Sequence, residues 1–164
     1  MAIVLTGIAV VAGAALGYVN SITAPTIEAL KVQQEKEAEQ EVLNGQEGSA
    51  IKITDPKGFG GALTVMVGLA QDGTILGYKV LESSETPGLG AKAQDWFQKG
   101  QKGDIIGKTA GKLEVSKDGG EVDAITASTI TSRAFLRCIN AAYKTLSEND
   151  AQSGASPQAK PNNN

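Results

Sequence analysis

Residues 62–82 read ALTVMVGLAQDGTILGYKVLE, and this stretch decides the fold class. Leu63, Val65, Val67 and Leu69 recur at period two, the spacing that places every second side chain on one face of a strand. Gln71-Asp72-Gly73-Thr74 follows, and Asp-Gly supplies the positive φ that a short hairpin needs. Ile75 to Glu82 is the return strand, with Tyr78 and Val80 among its β-formers. A hairpin this explicit predicts an antiparallel sheet. A second, weaker strand pair is predicted at Ile105-Ile106 and Lys112 to Val115.

Helical signals lie on both sides of the hairpin. Downstream, Ala91 to Gln98 is a short helix candidate containing Trp96 and Phe97. Thr129 to Leu146 is the clearest soluble helix: Phe135, Ile139, Ala142 and Leu146 share one face, with Cys138 beside them as a small core residue. From Glu148 onward no apolar residue larger than Ala occurs, which predicts a disordered tail. Upstream, Ser21 to about Leu43 is predicted to be helical with a break or kink at Pro25, and Asn44 to Ser49 to be a loop. In the run from Glu28 to Glu41, rich in Glu, Gln and Lys, only Ile27, Leu30, Ala38 and Val42 hint at an apolar stripe.

Met1 to Val19 carries no charge, and the first charged residue is Glu28. At about 1.5 Å per residue such a helix covers roughly 28 Å, close to the thickness of a bilayer core. Tyr18 falls where an interfacial aromatic sits. A cleaved signal peptide is the competing reading; against it, the stretch is long and lacks a basic leading region. That same lack suggests that the natural chain begins upstream of Met1. Ala9, Gly13 and Gly17, four apart, suit close packing against another membrane helix. The expected organisation is a transmembrane anchor at 1–20, a helical stalk and loop at 21–49, a folded domain at 50–147 and a disordered tail at 148–164. The fold class is α+β: one transmembrane helix, then a small antiparallel sheet packed with helices.

Composition narrows the function. The 164 residues suffice for one modest domain plus an anchor. Lys and Arg total 15 against 18 Asp and Glu, a net charge of -3, which argues against nucleic acid as a partner. There is no His and one Cys, so ligands for iron–sulfur, haem and the usual zinc sites are lacking, and no metal site is expected. Any redox chemistry must come from an organic cofactor.

Two segments carry chemistry. Asp123-Ala-Ile-Thr126-Ala-Ser-Thr129-Ile-Thr131-Ser132 crowds five hydroxyls at the start of an amphipathic helix, where one would suffice for a cap. A helix N-terminus offers free N–H groups and a positive dipole end, which suit a phosphate. Ser84-Glu85-Thr86-Pro87-Gly88-Leu89-Gly90 combines a fixed φ with two glycines that allow close backbone approach. Alone, helix capping and a plain strand-to-helix turn would account for them.

Together, and with the Ile22-Thr-Ala-Pro25 exit, Gly60-Gly61 before the hairpin, ETPGLG at 85–90 and Trp96, they resemble the FMN-binding domain family. Its members include the G subunit of the Rnf electron-transport complex and the C subunit of the sodium-pumping NADH:quinone reductase. The short length looks most like the former. The resemblance implies FMN joined through its phosphate to Thr129, with Asp123 and Thr126 flanking, and Glu85, Thr86, Gly88, Leu89 and Gly90 near the isoalloxazine ring. Thr131 and Ser132 complete the cofactor-binding set, and Ser128 and Thr131 remain possible acceptors. It further implies a separate flavin transferase using FAD, other membrane subunits of a Rnf-type complex as partners, and an inner-membrane protein with its soluble domain on the periplasmic side. The implied function is electron relay coupled to ion transport, with no catalytic acid, base or nucleophile in this chain. A flavin-free anchored scaffold and a periplasmic flavin-binding sensor are the competing functions. One departure stands out: the family's usual Gly-Ala before the acceptor is Ala127-Ser128 here.

Overall fold

The computed structural model describes residues 2–153 and divides the chain into two compact units, the first ending at Glu37 and the second beginning at Ala38. In chain order the elements are α1 (Ala2–Leu43), β1 (Ser49–Asp55), β2 (Leu63–Leu69), β3 (Ile75–Ser83), α2 (Ala93–Trp96) and α3 (Thr129–Ser153). The fold is α+β, as the hairpin and the two helical patterns predict.

α1 is long and apolar enough near its start to cross a membrane. Ile3, Val4, Leu5, Ile8, Val10 and Val11 are all exposed, as expected of a helix whose solvent is lipid. Of the break or kink predicted at Pro25, the break does not occur: helix is continuous on both sides of the proline. Proline removes one intrahelical bond, and α1 absorbs that loss, as membrane helices commonly do.

In the second unit, β1, β2 and β3 form an antiparallel meander in that order. β2 is central and buried on both faces. Its odd-numbered side chains, Leu63, Val65, Val67 and Leu69, join the main core beneath α3. Its other face meets the end of α1, where Ala38, Val42 and Met66 form a smaller cluster. Gly68 and Gly77 pair across β2 and β3 directly under this helix end, and a Cβ at either would come within 2.3 and 2.7 Å of the Val42 carbonyl oxygen. The hairpin turn is as predicted: Gly73 has φ +82°, Gly73 N–H donates to the Ala70 carbonyl, and Asp72 Oδ1 accepts from the Thr74 N–H.

Phe135 of α3 anchors the main core, stacked on Phe97 at 4.3 Å between centroids and edge-on to Tyr78 at 4.7 Å. Cys138 is fully buried in this core, and its thiol is pushed up to about 12 by burial and by the nearby Asp55 carboxylate. It is a packing residue, as its place on the helix face implies.

Several expectations need correction. β1 was not foreseen. The proposed strand pair at 105–106 and 112–115 is absent; that segment is irregular, tied down by single bridges between Thr74 and Thr109 and between Val115 and Val122. Asn140 replaces a ladder there, accepting from the Gly111 and Leu113 N–H groups and donating to the Leu113 carbonyl. The Ala91–Gln98 helix is shorter, a 3-10 turn at Gly90–Lys92 followed by α2. The disordered tail predicted at 148–164 is contradicted over its first residues, because α3 continues to Ser153; residues 154–164 lie outside the described residues.

Candidate functional site

β3 delivers the chain into the turn that carries Glu85 to Gly90. Thr86 closes it, its carbonyl accepting from the Leu89 and Ala91 N–H groups at 3.1 and 3.3 Å. Gly88 has φ +77° with open space around it, so its need for glycine is conformational. Gly90 is different: a Cβ there would lie 2.5 Å from Glu85 Oε2 and 2.8 Å from Thr131 Oγ1.

Glu85 is 7% exposed. Its Oε1 accepts from the Phe59 N–H at 2.8 Å, drawing the loop before β2 onto the turn. Its Oε2 has no hydrogen-bond partner among the described residues, and neither has the fully buried Thr131 Oγ1. Both lie within 3 Å of one point beside Gly90. Buried polar atoms left unmatched are costly, so such a pair points to a group that completes the site.

The start of α3 is set by a four-residue turn. The Ser128 N–H donates to the Ile125 carbonyl at 3.0 Å, with Thr126 and Ala127 between them. Ala127 has φ +61°, the left-handed position that the third residue of a type II turn requires and that favours glycine. Ser132 locks this turn from below: its hydroxyl donates to the Ser128 carbonyl and accepts from the Ile125 N–H. The first N–H groups of α3, at Thr129 to Thr131, have no carbonyl one turn earlier inside the helix.

A 3-10 turn at Ser116–Asp118 packs against this helix start. Ser116 Oγ lies 3.3 Å from Asp123 Oδ1, and Asp118 makes a two-pronged ion pair with Arg133 of α3 at 2.6 and 2.7 Å. The ion pair with Arg133 holds the Asp118 carboxyl below its ordinary value. Between them, the Lys117 ammonium donates to Thr129 Oγ1 at 3.3 Å.

A cavity of about 330 Å³ joins the two segments singled out in the sequence. Glu85, Thr86, Leu89 and Gly90 line one side, and Ala127, Ser128, Thr129 and Ile130 the other, with Phe59 at the mouth. This volume lies at the small end of ligand pockets, which run from about 300 Å³ upward. Thr131 borders the site through Gly90. Asp123, Thr126, Gly88 and Ser132 do not line it: Asp123 and Ser132 support it from behind, Gly88 shapes the turn, and Thr126 is exposed.

Phe59 and Lys117 were missed. Phe59 is 68% exposed, and a lone aromatic between glycines was the available signal. Lys117 lies 12 residues from Thr129, and only the folded loop brings it there.

The residues fit a flavin nucleotide. Phe59, Leu89 and Ile130 give the cavity apolar edges, at 68%, 42% and 49% exposure. The free N–H groups of the helix start and the Lys117 ammonium suit a phosphate. Comparison with known proteins agrees. The model of the FMN-binding domain matches residues 58–144. The G subunit of the ion-translocating oxidoreductase complex of Vibrio atlanticus (strain LGP32) is 35% identical over 143 residues, covering 84% of this chain and 68% of its own length. The protein of the same name from Aliivibrio fischeri (strain ATCC 700601 / ES114) is 39% identical over 115 residues, 65% of this chain and 54% of its own length. That of Escherichia coli (strain K12) is 38% identical over 98 residues, 57% of this chain and 48% of its own. The chain therefore spans from about half to two thirds of the length of these relatives. With β2, β3, the Glu85–Gly90 turn and the start of α3 all inside the matched segment, the chain belongs to the FMN-binding domain family.

Proposed function

We propose that this chain is the covalent-FMN electron carrier of a Rnf-type ion-translocating membrane oxidoreductase. It relays electrons between ferredoxin and NAD, coupled to ion transport. The observation that carries the reading is the meeting of the Glu85–Gly90 turn and the Thr129 helix start in one cavity with unmatched buried oxygens at its edge. The relatives named as G subunits of ion-translocating oxidoreductase complexes support the same assembly.

When bound, FMN supplies one- and two-electron transfer. The chain's own residues do the rest. Thr129 would hold the phosphate as an ester, at the positive end of α3. Phe59, Leu89 and Ile130 would give the ring apolar contacts, Glu85 Oε2 and Thr131 Oγ1 would offer it polar ones, and Ser132 fixes the turn on which Thr129 stands. A covalent tether also prevents loss of the cofactor outside the cytoplasm. Attachment falls to a flavin transferase with FAD as donor.

Residues 1–20 are assigned to a single span of the inner membrane and 21–49 to a stalk and loop. Residues 50–147 belong to the flavin-carrying domain on the periplasmic side. The partners are the other membrane subunits of the complex.

The test is the mass of the full chain from cells that also make the transferase. The expected result is one added FMN, located on the peptide containing Thr129, and its loss in Thr129→Ala with in-gel flavin fluorescence gone. An unmodified wild-type peptide would leave a flavin-free scaffold, and flavin removed by dialysis would leave a sensor module.

A further inference from the structure

We propose that Lys117 selects Thr129 as the flavin acceptor and supplies the charge opposite the ester phosphate. The inference rests on the flavin-carrying reading above and deepens it. Three hydroxyls compete within four residues, and composition does not choose among them. Ser128 and Thr129 both line the cavity, but Ser128 is buried at 8% exposure and Thr131 at 0%, whereas Thr129 is half-buried. Thr129 is also the one of the three that the ammonium of Lys117 reaches, at 3.3 Å.

That reach is built into the loop. Ser116 is tied to Asp123 on one side of Lys117, and Asp118 is clamped by both arms of Arg133 on the other. Gly119 then turns with φ +92°, and its neighbour Gly120 donates to the Val115 carbonyl at 3.1 Å. The Asp118 carboxylate is thereby committed to Arg133. Among the described residues no carboxylate lies within ion-pair distance of Lys117, so its charge is available to a ligand. The cavity beside it carries the second sign of a ligand, the unpartnered and nine-tenths buried Glu85 Oε2.

The chemistry balances around this pair. Thr129 Oγ attacks the flavin-side phosphorus of FAD. The Oγ–P bond forms, the P–O bond to the adenylate breaks, and AMP leaves with the electron pair. The hydroxyl proton passes to the transferase or to solvent, and nothing is oxidised or reduced. An ammonium has donors only, so Lys117 occupies a lone pair of Oγ and leaves the hydroxyl hydrogen to point elsewhere, toward a base. The product is a phosphodiester with one negative charge, matched by one lysine. Asp123 then has a positioning role, because through Ser116 it holds the turn that carries Lys117.

The experiment uses the full chain in detergent with purified transferase and FAD. Loading is followed by the mass gain, and the modified residue is found by peptide fragmentation. Lys117→Met is expected to slow loading about tenfold and to spread flavin onto Ser128. Lys117→Arg should return the rate to within about threefold of wild type, since charge and reach are kept. Lys117 is exposed, so the melting curves of the unloaded variants should match wild type. Equal rates and a single modified Thr129 in Lys117→Met would overturn the role of Lys117 while leaving the flavin reading intact. An arginine variant no better than methionine would also overturn it. A wild-type chain that stays unloaded, beside a relative that loads, would instead sink the flavin reading itself and this inference with it.

Discussion

Ala127→Gly should stabilise the domain, against the usual direction of an alanine-to-glycine change. Ala127 sits at φ +61° and is exposed, so its Cβ gains little from packing. Holding an L-residue in the left-handed region costs about 1–2 kcal/mol. Glycine removes that cost but gives the unfolded chain more freedom, which takes back about 0.4–1 kcal/mol. The net gain lies between about 0 and 1.6 kcal/mol with a centre of about 0.8 kcal/mol, or roughly 2–5 °C in melting temperature for a domain of this size. The assay is a thermal melt of the unloaded full chain in detergent, with a urea titration to show an unchanged slope. A glycine variant that melts at or below wild type would refute the strain argument. It would mean that the Ile125–Ser128 turn does not hold Ala127 in the conformation described. The same substitution restores the family's usual residue, so it asks how much of the departure is borne by stability rather than by the cofactor.

Two other substitutions probe the support around the site. Arg137→Met should cost about 1–3 kcal/mol at pH 7, because Arg137 Nε donates to the nearly buried Asp55 carboxylate at 2.6 Å. Burial alone would raise the Asp55 carboxyl, but the Arg137 hydrogen bond, the Lys57 N–H and the charge of both residues bring it below its ordinary value. Its contribution is therefore present above about pH 4 and lost as pH falls through the lowered value. The difference in urea midpoint between variant and wild type should shrink in acid; a gap independent of pH would contradict this pairing. Gly90→Ala should destabilise by about 1–3 kcal/mol and lower flavin occupancy, since its Cβ would press on Glu85 Oε2 and Thr131 Oγ1. Wild-type stability and full loading in that variant would show that the turn relaxes freely.

The hairpin was legible because alternation and Asp-Gly each point to the same structure, and because the face of β2 under α3 is uniformly apolar. β1 was not, although Ile51 and Ile53 alternate with Lys52 and Thr54, because the alternation is short and the strand is at the sheet edge, where burial is partial. The false strands at 105–115 show the converse: short apolar runs can be buried by a loop whose backbone is satisfied by one side chain, Asn140. α3 outran its apolar stripe by about two turns, since helix propagation needs no core once nucleated. In the site, the two segments were visible as unusual local chemistry. That they meet was implied only by resemblance, because the chain between them is mostly irregular. Lys117 could not be read from spacing at all. Its position depends on ion pairs and turns that form only when the loop is folded.

The paired glycines under Val42 carry a practical meaning for anyone dissecting this chain. The sheet lacks side chains there because the helix end fills the space, so the second compact unit takes its cover from the last turns of α1. That unit begins within a helix, at Ala38, and not at the loop where the helix stops. A soluble fragment cut at residue 44 would uncover a bare glycine furrow beside Met66, a surface inviting strangers; one that keeps the last turns of α1 carries its own cover.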